Sequence, residues 1–253
     1  MIFDNINNFK GPAYVCFIDV LGFSNDILTN WNKITSNPLE KIILVKDKIP
    51  GFSYNGGDDE RSSLANSYIF RMNTISDSYT LCFGFKDTPS LGDLAFGLDI
   101  ILKNLSYLWA TFISHGYTIR GAIDYGDIYW DENELIGPAF IKAYHFESKV
   151  AKISRVVASS DLNKLLKDLF SEQTSTLIKP LLRKFRKDID GYIIVDPMIL
   201  YKSLKEKEVL VERLKKMRDE APTGICQGKY DPLISMIVED AKEDLKPEDV
   251  GDY

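Results

Sequence analysis

Residues 14–21 read Y-V-C-F-I-D-V-L, a run of β-branched and aromatic residues that one acid, Asp19, interrupts. Such a run suits a central β-strand better than a helix. Gly22 follows it, and helical sequence then extends over residues 24–45, with a break expected near Pro38. A carboxylate in a buried strand is costly unless it is paired or binds a metal ion. The stretch therefore predicts a central strand with one acid of special interest.

Two further strands are predicted close together downstream. Residues 67–75 read S-Y-I-F-R-M-N-T-I and residues 79–85 read Y-T-L-C-F-G-F, so a tight hairpin with Asp77 at its tip is expected to join them. Before them, residues 50–65 are rich in Gly, Asp and Ser and predict a mobile loop. After them, residues 90–114 carry apolar residues at helical spacing and predict a helix.

The remaining elements complete the predicted fold. Strands are expected at residues 117–123 and around residues 127–130, and a helix over residues 137–152. The order strand, helix, hairpin, helix, strand predicts an α/β (α+β) fold with a ferredoxin-like βαββαβ core, in which helices cover a mostly antiparallel sheet. We expect one domain over residues 1–200 and a charged, helical C-terminal extension over residues 201–253.

The composition narrows the possible partners. The chain has 253 residues, with 31 Lys and Arg against 37 Asp and Glu, and a net charge of −6. It lacks the basic surplus of a nucleic-acid or membrane-surface binder, so neither is expected as a partner. Its three cysteines are widely spaced and indicate neither a zinc site nor a disulfide framework. No signal peptide or membrane span is recognisable, so a cytoplasmic protein is expected.

Asp19 and Asp77 form the candidate chemical site. The strand, the helix and the hairpin are expected to bring both carboxylates to one end of the sheet. Two hard oxygen ligands suit Mg²⁺ or Mn²⁺, which take other ligands from water and from substrate phosphates. The alternative is structural, since Asp is common at hairpin tips and can cap a helix. The two contexts together favour a metal site.

Four segments resemble, in the same order, signature segments of the class III nucleotidyl cyclases. F-I-D-V-L-G-F-S at 17–24 is similar to their first-strand signature, and N-T-I-S-D-S-Y at 73–79 is similar to a hairpin usually written T-I-G-D. Y-T-I-R-G-A-I-D-Y-G at 117–126 resembles their strand R-x-G-I-x-x-G. I-G-P-A-F-I-K-A-Y-H-F-E at 136–147 resembles their helix G-x-x-V-N-x-A-x-R-L-E. The resemblance covers roughly residues 14–150.

The resemblance implies roles for particular residues. Asp19 and Asp77 are expected to bind two Mn²⁺ or Mg²⁺ ions, with the Val20 carbonyl as a further ligand. The substrate 3′-hydroxyl is expected to attack the α-phosphorus and expel pyrophosphate. Two chains of this family pair head to tail, so a homodimer with active sites between the chains is implied. Four backbone N–H groups at a helix start are expected to receive the triphosphate: those of Leu21, Gly22, Phe23 and Ser24.

Four positions depart from the purine cyclases. Asn73 stands where they carry Lys or Glu to read the base, and Glu134 stands where they carry Asp or Cys. Ile141 replaces an Asn that fixes the ribose, and His145 replaces an Arg that stabilises the transition state. With intact metal acids, this set resembles the bacterial pyrimidine (uridylate or cytidylate) cyclases of Pycsar anti-phage defence. The resemblance implies UTP, ahead of CTP, as the substrate, and a separate effector protein that binds the cyclic product.

Further residues are candidates for base contacts. Arg71 and Asn73 lie two apart in a predicted strand, so both are expected on the base side. A pyrimidine leaves room for a larger neighbour, such as Arg71 or Tyr79. Glu134 has no evident preference between the two pyrimidines.

Other cations are candidates for phosphate contacts. Arg120 is either structural or a phosphate contact. His145 could be a general base or a phosphate contact, or equally a half-buried helix histidine with no such role, whereas His115 is expected to be structural. In the basic run at 181–187, Arg183 or Lys184 could replace the lost phosphate contact.

Competing interpretations remain open at this point. G-G-D-D-E at 56–60 is similar to the G-G-D-E-F hairpin of diguanylate cyclases, but apolar strands do not flank it, and an acidic loop is favoured. The chain could instead be an adenylate or guanylate cyclase with altered base readers. A third possibility is an inactive cyclase-like domain that binds a nucleotide or a partner.

Overall fold

The computed structural model describes residues 6–33, 37–48, 58–171, 176, 178–221, 223–239 and 245–250. Within them, eight strands form one sheet. The strands are β1 (Phe9–Leu21), β2 (Tyr68–Ile75), β3 (Ser78–Phe85), β4 (Thr118–Trp130), β5 (Leu135–Ile136), β6 (Val156–Ala158), β7 (Phe185–Lys187) and β8 (Ile193–Val195).

Helices connect and cover these strands. They are α1 (Phe23–Asn30), α2 (Pro38–Lys48), α3 (Asp58–Ser67), α4 (Leu91–Ser114), α5 (Pro138–Lys149), α6 (Ser160–Phe170), α7 (Ile178–Leu182), α8 (Leu204–Asp219), α9 (Gly224–Gln227) and α10 (Asp231–Glu239). Two short 3₁₀ turns lie at Pro197–Leu200 and Pro247–Asp249.

The sheet confirms the predicted fold class. Its order is β2-β3-β1-β4-β6-β8-β7, with β5 paired to β4. The pairs β2–β3, β3–β1 and β1–β4 are all antiparallel, as in a ferredoxin-like core, while β4 and β6 run parallel. The predicted break near Pro38 is also present, since α1 ends at Asn30 and α2 begins at Pro38.

The two faces of the sheet have different covers. Tyr14, Cys16 and Ile18 of β1 point into the larger core, which α4 fills with buried residues such as Leu98 and Trp109. Side chains alternate along a strand, so Val15, Phe17 and Asp19 point to the other face. There α5 packs on β1, with the Phe140 ring centroid 5.9 Å from that of Phe17. The chemically interesting acid therefore lies on the α5 face.

Three secondary-structure predictions differ from the structure. Residues 58–65 belong to α3 and not to a loop, because Leu64 and Ala65 pack against the large core and outweigh the weak helix propensity of their Ser and Asn neighbours. The end of the G-G-D-D-E segment lies in α3, and Gly56 and Gly57 lie outside the described residues. β4 is one continuous strand, because β1 pairs with it from Leu21 to Phe9 without interruption. The α5 helix ends at Lys149, three residues earlier than predicted.

The C-terminal segment packs onto the rest of the molecule. Helix α8 buries Leu210, Leu214 and Met217 in the large core. The main-chain N–H of Ser154 donates to the carbonyl of Lys229 at 3.1 Å. Whether residue 200 bounds a domain stays a prediction. Of the helices in the described part of the chain, none has the length and apolar character needed to span a bilayer.

Candidate active site

Asp19 lies near the end of the long strand β1. In the ladders it stands opposite Ser78 of β3 and Arg120 of β4. The Asp19 side chain is 21% exposed, because α5 covers only part of this face of the sheet. The strand carries an acid here because this end of the sheet opens to solvent, whereas Val15 and Phe17, further along the same face, are buried.

Asp77 is fixed next to Asp19 by the hairpin. The main-chain N–H of Val20 donates to the Asp77 carbonyl at 3.1 Å, which ties the tip of the hairpin to the end of β1. The Ser24 hydroxyl donates to Oδ2 of Asp77 at 3.3 Å. Ser76, just before it, adopts the left-handed conformation with φ of 55°. The predicted convergence of the two acids is therefore present in the fold.

The two carboxylates interact electrostatically. Burial raises the pKa of Asp19, and the nearby charge of Asp77 raises it further. The hydrogen bond and positive charge of Arg120 lower it, as does the charge of Lys229, but the net direction is upward. Two like charges with this coupling favour the binding of a cation between them.

Arg120 is shared by two carboxylates. Its Nε donates to Oδ2 of Asp19 at 2.9 Å, and the same atom lies 2.8 Å from Oε1 of Glu147 on α5. The Glu147 side chain is only 4% exposed. Burial raises the pKa of Glu147 to about 7, with Arg120 opposing the shift and Asp19 and Asp77 adding to it. Arg120 is thus a partner of Asp19, and a phosphate contact by Arg120 stays a prediction.

The start of α1 lies beside this pair. Gly22 precedes the helix with φ of 90° and ψ of −10°, a left-handed conformation that glycine adopts freely. The first N–H groups of a helix have no partner within it, so those of Phe23 and Ser24 are available to an anion. Leu21, by contrast, is paired with Thr118 in the β1–β4 ladder.

The predicted base readers meet in one cleft. Arg71 and Asn73 on β2 and Glu134 in the turn between β4 and β5 line a cavity of about 550 Å³. Arg71 is buried, and its guanidinium donates to the carbonyls of Trp130 at 2.9 Å and Ile6 at 2.6 Å. Arg71 therefore builds the wall of the cleft, while Asn73 and Glu134 are exposed at it.

Two expectations near the site were wrong. Tyr79 is fully buried on the opposite face, where its ring packs against Phe112 with centroids 5.1 Å apart. Alternation along β3 groups it with the apolar Leu81, so it cannot line the base side. Lys184 donates to Asp99 of α4 at 2.6 Å, also on the face opposite Asp19.

The replaced helix positions lie on the outer surface of α5. Ile141 is 53% exposed, and His145 is exposed as well. His145 is therefore not the half-buried histidine that the structural alternative assumed, and a role in phosphate contact or proton transfer stays a prediction. His115 fits the structural role, since its Nδ1 lies 2.8 Å from the Thr111 carbonyl at the end of α4.

Glu147 is the residue that sequence reasoning missed. It was quoted within the helix motif but received no role. Its relation to Arg120 depends on how α5 packs over β4, which no local sequence pattern specifies. The signal in the sequence is the spacing: Glu147 follows Ala143 by four residues, which places an acid on the apolar side of the helix.

The metal-binding potential is limited to few protein ligands. Among the residues that the structure describes, no group of three or more His, Cys, Asp or Glu side chains could hold a metal ion. Asp19 and Asp77 are thus a two-carboxylate site, which suits an ion that takes further ligands from substrate and water.

Comparison with known proteins gives a structural likeness only. No family model and no curated protein matches the chain. Among solved structures, similar chains include an adenylyl cyclase and an adenylyl cyclase-like protein. The first is the adenylyl cyclase CyaB from P. aeruginosa, with 16% identity over 64% of this chain and 84% of that chain, at a TM-score of 0.42.

The second is a class III adenylyl cyclase-like ATP-binding protein from Pseudomonas aeruginosa. It is 12% identical over 69% of this chain, with a TM-score of 0.46. The match covers 41% of that chain, so the present chain spans less than half of it. Likeness at this level does not establish an activity, which has to be argued from the residues themselves.

Proposed function

We propose that the chain is a nucleotide cyclase of the class III type, which converts a pyrimidine nucleoside triphosphate into a 3′,5′-cyclic nucleotide and pyrophosphate. UTP is the favoured substrate, ahead of CTP. The observation that carries this proposal is the meeting of Asp19 and Asp77 beside the start of α1. Two acids that bind metal ions, next to a helix start that binds phosphate, would stabilise the charge that develops in an in-line displacement at phosphorus.

The residues fit divalent metal ions. Asp19, Asp77 and Glu147 carry three negative charges when ionised, and Arg120 neutralises one of them. This surplus of two charges matches one Mg²⁺ or Mn²⁺ ion, and the substrate triphosphate would supply the negative charge for a second. Asp19 and Asp77 would hold the ions, with the Val20 carbonyl as a further ligand. Two bound ions would supply electrophilic stabilisation of the phosphate oxygens and of the 3′-oxygen.

The chain's own residues then position the substrate. The N–H groups of Phe23 and Ser24 bind phosphate oxygens, because the positive end of the α1 dipole points at them. The 3′-oxygen forms a bond to the α-phosphorus, the bond from that phosphorus to the bridging oxygen breaks, and pyrophosphate leaves. The 3′-hydroxyl proton is lost in the same reaction. His145 is our candidate for a phosphate contact or for accepting that proton.

The cleft offers polar partners for a pyrimidine base. Asn73 and Glu134 offer an amide and a carboxylate at its surface, and the buried Arg71 forms part of its wall. Uracil and cytosine both present donor and acceptor groups that these side chains can pair with. The product would act on a separate effector protein, as expected for a signal in anti-phage defence.

We propose that two chains complete each site. Asn73 lies in β2, and Asp77 follows four residues later in the turn, so the two positions are at most about 13 Å apart. The resemblance to the class III cyclases implies that one nucleotide is held by the cleft of one chain and the acids of the other. Ile75, Ile141 and Tyr144 leave large apolar surfaces exposed, Ile75 being 71% exposed beside Ser78. Such a surface fits a head-to-tail homodimer.

Product analysis tests this proposal. The purified chain is incubated with Mn²⁺ and each of ATP, GTP, CTP and UTP in separate reactions, and products are separated and weighed by mass spectrometry. We expect a cyclic pyrimidine nucleotide as the main product. A cyclic purine would favour the altered adenylate or guanylate cyclase. No product with any triphosphate would favour an inactive nucleotide-binding or dimerisation module.

A further inference from the structure

The shared N–H group of Arg120 is the starting point. A guanidinium Nε carries a single hydrogen, and here that hydrogen is donated to Asp19. Glu147 Oε1 lies 2.8 Å from the same nitrogen, yet it accepts no hydrogen bond within the described part of the chain. Two carboxylates therefore compete for one donor, and Asp19 holds it in this structure.

A hydrogen bond from Arg120 would stabilise the carboxylate of Glu147. Its side chain is almost fully buried, and an unpaired carboxylate oxygen in such a place is costly. Around it lie Arg120 of β4, Asp19 of β1 and Asp77 of the hairpin, and among the described residues the opposite charge that acts on it comes from Arg120. A small rotation of the guanidinium would satisfy Glu147 at the expense of Asp19.

Asp19 has the opposite requirement. Asp19 can bind an ion through Oδ1, but coordination by both oxygens needs the one that now accepts from Arg120, and a cation at Asp19 repels the guanidinium. Without another acceptor, the half-buried Arg120 would lose this hydrogen bond. Glu147 is placed to accept that bond, so the cost of freeing Asp19 is small.

We propose that Glu147 is a positioning residue, which takes over the Nε–H of Arg120 when Asp19 turns to a divalent ion. The step exchanges one hydrogen bond between two acceptors and leaves every covalent bond unchanged. The inference rests on the metal site of the proposed function. It explains why a buried acid stands next to a cation that is already paired.

Mn²⁺ binding without nucleotide tests the exchange. Full-length protein is titrated with MnCl₂, and free Mn²⁺ is followed by electron paramagnetic resonance. The variants are Glu147→Gln, Arg120→Met and the double variant, with Glu212→Gln on the exposed side of α8 as the control. Thermal unfolding checks that each variant folds.

The expected pattern is one of coupling. Glu147→Gln weakens Mn²⁺ binding about tenfold, because a neutral amide competes poorly for Arg120 and leaves it on Asp19. In the Arg120→Met background the same change weakens binding only about two- to threefold, since the competitor is gone and only the loss of one nearby negative charge remains. Glu212→Gln has no effect.

Other outcomes would overturn the inference. An equal loss with and without Arg120, or no loss in either, shows that Glu147 does not act through Arg120. If Glu147→Gln does not fold, Arg120→Met alone decides, since weaker Mn²⁺ binding than in the unmodified chain contradicts competition for Asp19. If the unmodified chain binds no Mn²⁺ even in the presence of a non-hydrolysable UTP analogue, the metal site of the proposed function is itself wrong.

Discussion

Arg120 Nε lies 2.9 Å from Oδ2 of Asp19, and the two residues stand directly opposite each other in the β1–β4 ladder. This pair explains how an acid survives in a strand of otherwise apolar residues. The site also contains a second carboxylate, that of Asp77, which forms no ion pair with a cation among the described residues. The surplus of negative charge is what makes this corner a candidate for divalent metal ions.

Removing either acid should abolish turnover and leave the fold intact. Asp19→Ala and Asp77→Ala each take away a ligand on which several kcal/mol of transition-state stabilisation depend, so we expect losses of at least about a hundredfold. Arg120 retains Glu147 as a partner in the first variant. Initial rates and circular dichroism measure both effects. The control is Asp87→Ala, just beyond the far end of β3. Near-normal activity in either acid variant would refute the metal assignment.

The cleft residues should govern the base and not the phosphates. We expect Asn73→Ala and Glu134→Ala to raise KM about tenfold and to change the ratio of UTP to CTP turnover. In each variant a polar group of the bound base loses its hydrogen-bond partner. Steady-state kinetics with both triphosphates measure this. Glu212→Ala serves as the control. An unchanged KM and an unchanged ratio in both variants would rule out the cleft as the base site.

Mixing experiments can test the head-to-tail dimer. An Asp77→Ala chain lacks the acid site, and an Asn73→Ala, Glu134→Ala chain lacks the base site. In a head-to-tail dimer, their mixture regains one intact site in each mixed pair, or about a quarter of normal activity after random exchange. A site built within a single chain predicts no gain above the sum of the separate activities.

Asp124 should make stability depend on pH. It is fully buried on β4, where the Ser159 hydroxyl donates to Oδ1 and Oδ2 accepts no hydrogen bond among the described residues. Burial raises its pKa to about 6. A raised acid pKa means that its contribution to stability is complete below its unfolded pKa and is lost as pH rises through about 6.

Asp124→Asn should therefore increase the free energy of unfolding at pH 8, by roughly 1–3 kcal/mol, and by less at pH 5. Urea denaturation at the two pH values measures the difference. The exposed Asp127→Asn, on the same strand, is expected to show no such pH-dependent gain. A gain of equal size at both pH values would show that ionisation of Asp124 is not the cause.

The hairpin tip carries a strained residue. Ser76 has φ of 55°, which costs a residue with a Cβ about 1 kcal/mol relative to glycine. We expect Ser76→Gly to raise the melting temperature, and Ser78→Gly, inside β3, to lower it. Scanning calorimetry decides, and a lower melting temperature for Ser76→Gly would contradict the conformation described for the tip.

Much of the fold follows from the sequence, because the main strands coincide with short runs of apolar residues. The run at 14–21 and the two strands beside Asp77 lie where the pattern predicted. Helix α3 was missed because its few apolar residues gain their helical state from the core and not from local propensity. Tyr79 was misplaced although the alternation of β3, with Leu81 and Phe83 on the same side, contains the answer.

The site was predictable only in part. The pairing of Asp19 with Asp77 follows from the order of strand and hairpin. In the cleft, Asn73 and Glu134 follow from the family resemblance, and Arg71 follows from the alternation of side chains along its strand. The link from Arg120 to Glu147 joins residues 27 apart through the packing of α5 on the sheet, and it becomes visible only with side chains in place.

The central claim is that the corner formed by Asp19 and Asp77 cyclises a nucleoside triphosphate. The most direct measurement follows pyrophosphate and cyclic nucleotide together, for the unmodified chain and for Asp77→Ala, with Mn²⁺ and UTP. The account predicts equal amounts of pyrophosphate and 3′,5′-cyclic UMP from the unmodified chain and neither from the variant. Cyclic UMP formed equally well by Asp77→Ala, or hydrolysis to UMP or UDP without a cyclic product, would contradict it.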